Sequence, residues 1–65
     1  MEAGQLRVFT VFAIALHGRF FMEGQVILLV RKDEDTRFDR WYILVDGNEE
    51  ICDENTIERY TVESR

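Results

Sequence analysis

Few side chains in this 65-residue chain could carry out covalent chemistry, because it has one cysteine, Cys52, and one histidine, His17. Cys52 stands among acidic residues, which raise the pKa of a thiol and suppress its thiolate form. His17 is followed by Gly18, a sequence typical of an exposed turn. One cysteine and one histidine build neither an internal disulfide nor a structural zinc site. We therefore predict a protein that is not an enzyme, with Cys52 as a small core residue.

Carboxylates are abundant, but their spacing does not indicate a metal or cofactor site. The segments 33–35 and 53–55 are rich in acids. They lack the alternating ligands, the central glycine and the closing glutamate of a calcium loop. No glycine-rich loop that could hold a phosphate is present either. We expect no cofactor and no metal.

The net charge of −5 is unevenly distributed along the chain. Residues 1–45 hold six acids and six bases, whereas residues 46–65 hold seven acids and only two bases. A phosphate backbone favours a basic surface, so binding to duplex nucleic acid is disfavoured. An acidic face instead favours association with a basic partner protein.

The apolar segments are too short to cross a membrane. The longest one without a charge, Val8–Leu16, is about half the length of a transmembrane helix. The start Met1-Glu2-Ala3 is unlike a secretory leader, which begins with basic residues. We expect an intracellular protein, cytoplasmic or nuclear, that is neither secreted nor membrane-bound.

Turn signals divide the chain into five predicted strands. Asp46-Gly47 lies between two strand-like segments and predicts a tight hairpin. A charged segment, Arg31–Asp39, predicts a solvated loop. The predicted strands are Gln5–Leu16, Gln25–Arg31, Arg40–Val45, Glu49–Cys52 and Glu58–Val62, with one 3₁₀ turn over residues 53–57. Five short strands in one domain, residues 1–65, predict an all-β fold, a small five-stranded antiparallel barrel with that turn before the last strand.

The first strand has a rival interpretation. Leu6, Phe9, Ala13 and Leu16 also fall at helical spacing, and Gly18 could end a helix. The alternative fold is therefore α+β with an N-terminal helix at about residues 3–17. The density of β-branched residues favours the strand.

Side chains point alternately to the two faces of a strand, and this alternation predicts the core residues. In the first two predicted strands, however, both faces are apolar. The predicted core residues are Val8, Phe12, Ile14, Val26, Leu28, Val30, Ile43, Val45, Ile51 and Ile57. A barrel of this size does not easily cover both faces of those strands. We therefore predict an exposed apolar patch that serves as an interface.

Several short motifs occur in order along the chain: Phe12-Ala13, Gly18-Arg19-Phe20-Phe21, Gly24-Gln25-Val26 and Tyr42-Ile43-Leu44-Val45-Asp46-Gly47, together with Ile57. In this order they resemble the motifs of a Tudor domain of the SH3-like barrel superfamily. The similarity covers roughly residues 6–62 and implies a Tudor-like five-stranded barrel.

The aromatic cage with which Tudor domains hold methylated Lys or Arg is incomplete in this chain. Phe20 or Phe21 could supply one wall, and Asp46 a carboxylate at the edge. Leu44-Val45 and Asn48 stand where the family often has rings. Core packing is thus the expected role of most phenylalanines.

The function predicted from these observations is that of a small acidic interaction module that binds and modulates a larger partner protein, as many phage and regulatory proteins do. We also expect a homodimer as an outcome of the apolar patch. The candidate partner-binding residues are Phe20, Phe21, Trp41, Tyr42, Asp46, Glu49, Glu50 and Glu54, with whichever rings point outward making the contact. The alternative is a nucleic-acid-associated barrel of the Tudor or KOW kind that uses Arg31, Lys32, Arg37 and Arg40.

Overall fold

The computed structural model describes residues 1–15 and 17–64, which form seven strands and one helix. The elements are β1 (Leu6–Phe9), β2 (Ala13–Ile14), β3 (Phe20–Phe21), β4 (Val26–Lys32), β5 (Arg40–Val45), β6 (Asn48–Asp53), α1 (Glu54–Tyr60) and β7 (Thr61–Glu63). The prediction of a mainly β fold is confirmed.

Five strands form one antiparallel sheet in the order β6-β5-β4-β1-β7. The last strand thus returns to lie beside the first. Strands β2 and β3 form a separate two-stranded hairpin. Among the described residues β6 and β7 remain the two edges of an open sheet, so the predicted closed barrel is not observed.

The N-terminal segment differs from both of its predicted conformations. The predicted strand Gln5–Leu16 is interrupted by a bend after β1, and Leu16 lies outside the described residues. The alternative helix at residues 3–17 is wrong, because the described residues of that range form β1, a bend and β2. The amide of Thr10 donates to the carbonyl of Tyr60 at 2.9 Å, which holds the chain at the bend where it leaves the sheet.

The helix before the last strand is longer than the predicted 3₁₀ turn. Asp53 caps α1, because its carboxylate accepts hydrogen bonds from the amide of Thr56 at 3.0 Å and from the Thr56 hydroxyl at 2.6 Å. This N-cap satisfies a backbone donor that would otherwise lack a partner. The helix continues to Tyr60, so the predicted last strand, Glu58–Val62, is wrong in its first three residues.

The core lies on one side of the sheet, under the β2–β3 hairpin and α1. Its buried residues are Phe9, Ala13, Ala15, Phe21, Ile27, Leu29, Trp41, Ile43, Val45, Cys52 and Ile57. The prediction is confirmed for Ile43, Val45 and Ile57, and Cys52 is buried as expected. It is wrong for the rest, because Phe12, Ile14 and Val26 are exposed and the others are only partly covered: Val8, Leu28, Val30 and Ile51.

The errors in β1 and β4 share one cause. Side chains alternate between the two faces of a strand, so a shift of one residue exchanges the buried set for the exposed set. In β4 the buried residues are Ile27 and Leu29, whereas Val26 and Leu28 were predicted. In β1 it is Phe9, not Val8, that enters the core.

The hairpin between β5 and β6 has the predicted turn. Asp46 and Gly47 both have positive φ, 51° and 79°. That combination is characteristic of the two-residue turn whose twist matches the flanking strands.

Replacing Gly47 by valine is expected to destabilise the protein by about 1–3 kcal/mol, because a β-branched residue is strained at positive φ. An added Cβ would meet nothing within 4 Å, so the penalty is conformational and not a steric clash. The matched change, Asn48→Ser, removes only a hydrogen bond of 3.4 Å to the carbonyl of Asp46 and should cost less than about 0.5 kcal/mol. Urea unfolding followed by the fluorescence of Trp41, the one tryptophan, measures both. Equal losses would contradict the turn.

Candidate protein-binding surface

The β2–β3 hairpin is fixed to the rest of the molecule on its inner side. The rings of Phe21 and Phe9 stack with centroids 4.5 Å apart. The Arg19 guanidinium donates from Nε and Nη2 to the two carboxylate oxygens of Glu50, at 2.7 and 3.3 Å. It also lies over the ring of Phe21, 4.6 Å from the centroid. These contacts therefore hold the hairpin in place against the core and the sheet.

The outer side of the same hairpin is apolar and exposed. Register places Ile14 opposite Phe20, so both side chains point away from the core, and the ring of Phe12 lies 5.9 Å from that of Phe20. The hairpin and the residues that flank it carry five exposed large apolar side chains, which we call the hairpin surface: Val11, Phe12, Ile14, Phe20 and Met22. Contiguous apolar patches of this kind are typical of interaction sites.

Acidic side chains border the hairpin surface. The amide of Met22 donates to Gln25 Oε1 at 3.3 Å, and Gln25 Nε2 donates to Asp46 Oδ2 at 2.8 Å. Glu50 reaches the other end of the hairpin through Arg19. Thus two of the predicted acids are linked to the hairpin that carries Phe20, Glu50 through Arg19 and Asp46 through Gln25.

Two predicted contact residues are buried and do not contribute to a surface. Phe21 is 1% exposed and Trp41 is 5% exposed. Trp41 Nε1 donates to Glu54 Oε2 at 2.8 Å, and Lys32 Nζ lies 3.1 Å from the same oxygen. The indole hydrogen bond, together with Lys32, lowers the pKa of Glu54. Glu54 therefore holds the indole as a carboxylate and is separate from the hairpin surface.

The remaining predicted residues, Tyr42 and Glu49, lie on the opposite face of the sheet. Tyr42 is half-buried, and the Arg31 guanidinium lies over its ring, 3.9 Å from the centroid. Glu49 is exposed and pairs with Leu44 in the register of β5 and β6. The eight predicted residues therefore do not form one site.

The bases of the nucleic-acid alternative are already engaged within the chain. Arg40 and Arg37 pair with Asp33 and Asp35, at 2.8 and 2.9 Å. A hydrogen bond from the Asp35 amide and the guanidinium of Arg40 hold the pKa of Asp33 below its usual value, so the carboxylate is ionised. Lys32 pairs with Asp39 as well as with Glu54. Arg31 is the only one of the four without a carboxylate partner among the described residues.

Cys52 is unsuited to nucleophilic chemistry. Burial, followed by the charges of Asp53 and Glu50, raises the pKa of its thiol to about 12. The thiolate is therefore negligible at neutral pH. His17 is exposed, as the sequence predicted.

Sequence reasoning missed four members of the hairpin surface, Val11, Phe12, Ile14 and Met22. Phe12 and Ile14 were assigned to the core because alternation cannot tell which of two apolar faces is covered. A usable signal was the interval between Ala15 and Phe20, where Gly18 permits a turn. A glycine at this position permits a hairpin turn and hence a face turned outward, and in the structure its φ is 75°.

Comparison with known proteins identifies no relative of this chain. No family model matches the chain, and no curated protein or solved structure is significantly similar to it. Within the described residues, no helix is long and apolar enough to span a bilayer.

Proposed function

We propose that the protein is a non-enzymatic interaction module that binds and modulates a larger protein through the hairpin surface. The observation that carries this proposal is the exposure of Phe12, Ile14 and Phe20 on a hairpin whose other side is anchored in the core. An interface needs apolar side chains held in place, because ordering them on binding costs entropy. The Phe9–Phe21 stack and the Arg19–Glu50 pair supply that order.

The partner segment should combine apolar side chains with Lys or Arg. Asp46 lies at the rim of the hairpin surface, whereas the charge of Glu50 is paired with Arg19, and the net charge of −5 comes from residues 46–65. The negative electrostatic potential of these residues speeds association with a basic partner and makes the association rate sensitive to salt. The aromatic residues would supply most of the affinity, and the acids the steering.

The fold is proposed to be a Tudor-like member of the SH3-like barrels. The supporting feature is the position of β1 between β4 and β7, which brings the last strand back to the first after a short helix. The hairpin formed by β2 and β3 then projects from the connection between β1 and β4. That connection carries the binding surface in this proposal.

The experiment is affinity capture from the source cells followed by titration with the captured protein. The double variant Ile14→Ser/Phe20→Ser should abolish capture, and in the titration each single change should weaken binding by about 1–3 kcal/mol. Phe38→Ser is the matched control. Phe38 is 48% exposed, close to the 53% of Phe20, but it lies in the loop between β4 and β5.

The charge contribution is tested on the same complex. Asp46→Asn should slow association and reduce its dependence on salt, because a rim charge acts mainly on the encounter rate, and asparagine tolerates the positive φ of the turn. Glu34→Gln makes the same change of net charge in the loop between β4 and β5 and is the control. A complex indifferent to Ile14, Phe20 and Asp46 would show that the hairpin surface is not the interface.

A gel-shift titration with duplex DNA and single-stranded RNA at two salt concentrations tests the nucleic-acid alternative. Binding that is tight and falls steeply with salt would favour it. We expect none, because carboxylates of the chain already neutralise Lys32, Arg37 and Arg40.

A further inference from the structure

A second apolar surface lies on the face of the sheet opposite the core. Residues directly paired between antiparallel strands share a face. The pairing of the strands builds three neighbouring rows, which we call the outer face: Val62–Val8–Val26 across β7, β1 and β4; Leu6–Leu28–Leu44–Glu49 across β1, β4, β5 and β6; and Arg31–Tyr42–Ile51 across β4, β5 and β6. This face is distinct from the hairpin surface.

Much of the outer face is accessible. Leu6, Val26, Leu44 and Val62 are each 40–51% exposed, and the other apolar members of the rows are half-buried: Val8, Leu28, Tyr42 and Ile51. A specific interface at the small end of the usual range needs about 600 Å² from each partner. That is roughly one-seventh of the 4384 Å² accessible surface of the chain. Three rows of side chains across five strands can supply it.

The two charges of the outer face are of opposite sign. Arg31 pairs with Tyr42 from the β4 side of β5, and Glu49 pairs with Leu44 from the β6 side. They therefore stand on opposite sides of β5, one row apart. Neither has an ion-pair partner among the described residues. The face is thus neutral, although the chain as a whole carries −5.

From this arrangement we infer that the outer face binds a second copy of the chain in a two-fold symmetric dimer. In such a dimer each contact occurs twice. When the outer faces of two copies meet and the two-fold axis lies in the interface and passes between Tyr42 and Leu44, Arg31 of each copy comes to Glu49 of the other. A neutral, self-complementary face suits a second copy of an acidic chain, whereas a basic partner would favour the acidic rim of the hairpin surface.

Sedimentation equilibrium of the intact protein, up to about 1 mM, tests the inference. The parent protein should dimerise. Arg31→Glu and Glu49→Arg should each weaken the dimer roughly tenfold, because each change breaks two ion pairs and places like charges together. The double variant Arg31→Glu/Glu49→Arg reverses both charges and should return the dissociation constant to within about threefold of the parent.

Matched controls separate the outer face from other causes. Glu34→Arg changes the net charge as Glu49→Arg does, but in a loop, and should leave the dimer intact. Leu44→Asp should give a monomer, whereas Phe20→Asp, on the hairpin surface, should not. Fluorescence of Trp41 verifies that each variant is folded. A parent protein that stays monomeric, a dimer that survives Leu44→Asp, or a double variant no tighter than the single ones would overturn the inference.

Discussion

Phe21→Ala is expected to destabilise the protein by about 3–5 kcal/mol, the usual effect of emptying a buried phenylalanine site. The ring is 1% exposed and stacks on Phe9. It also lies under the Arg19 guanidinium, so its loss removes a packing partner of the ion pair with Glu50. A domain of this size has about 5 kcal/mol of stability, and the variant should be largely unfolded at room temperature.

The adjacent residue provides the control for this prediction. Phe20→Ala removes the same side chain one position earlier, where it is 53% exposed, and should cost less than about 1 kcal/mol. Far-UV circular dichroism and urea unfolding, at one fixed protein concentration, measure both variants. Phe21→Leu should be intermediate and remain folded, which gives a measurable value if the alanine variant does not. Equal stability of the Phe20 and Phe21 variants would contradict the position of the hairpin.

Ile43→Ala is the second large expected effect, at about 2–5 kcal/mol. Ile43 is fully buried in β5, between Leu29 on β4 and Glu50 on β6. Removing it leaves a cavity in the most extensively paired part of the sheet, where the surrounding backbone cannot easily collapse. The free energy of unfolding, measured by urea titration with Trp41 fluorescence, gives the cost.

Leu44→Ala is the matched change on the other face of the same strand. Leu44 is 40% exposed, so a monomer should lose less than about 1.5 kcal/mol. The measurement is made at low protein concentration, because Leu44 is also part of the outer face. An Ile43 variant as stable as the Leu44 variant would mean that the faces of β5 are assigned the wrong way round.

Local signals in the sequence were sufficient for β5, for most of β6 and for the turn between them. The predicted strand Arg40–Val45 coincides with β5, and Asp46-Gly47 forms the turn because Gly, and to a lesser degree Asp, tolerates positive φ. The helix α1 was underestimated. Asp53 and Thr56 form an N-cap that was readable from the sequence, but the continuation to Tyr60 was not expected.

The choice of buried face was decided only by the tertiary structure. In β5 both Ile43 and Val45 were assigned correctly, and they share the buried face of the strand with Trp41. In β1 and β4 both faces are apolar, so the alternation of side chains does not show which face is buried. There the position of the hairpin decides, because Phe21 stacks on Phe9 and thereby makes its side of the sheet the core.

The prediction of binding residues was likewise correct only in part, because tertiary contacts decide which side chains are exposed. The composition and the distribution of charges along the chain indicated an acidic module with exposed apolar surface. A short chain cannot cover every apolar face that its sequence provides. Which rings would be exposed depended on contacts between residues distant in sequence. Trp41 lies on the buried face of β5, where Glu54 accepts a hydrogen bond from its indole, and Phe20 is exposed because Phe21 takes the inner position of the hairpin.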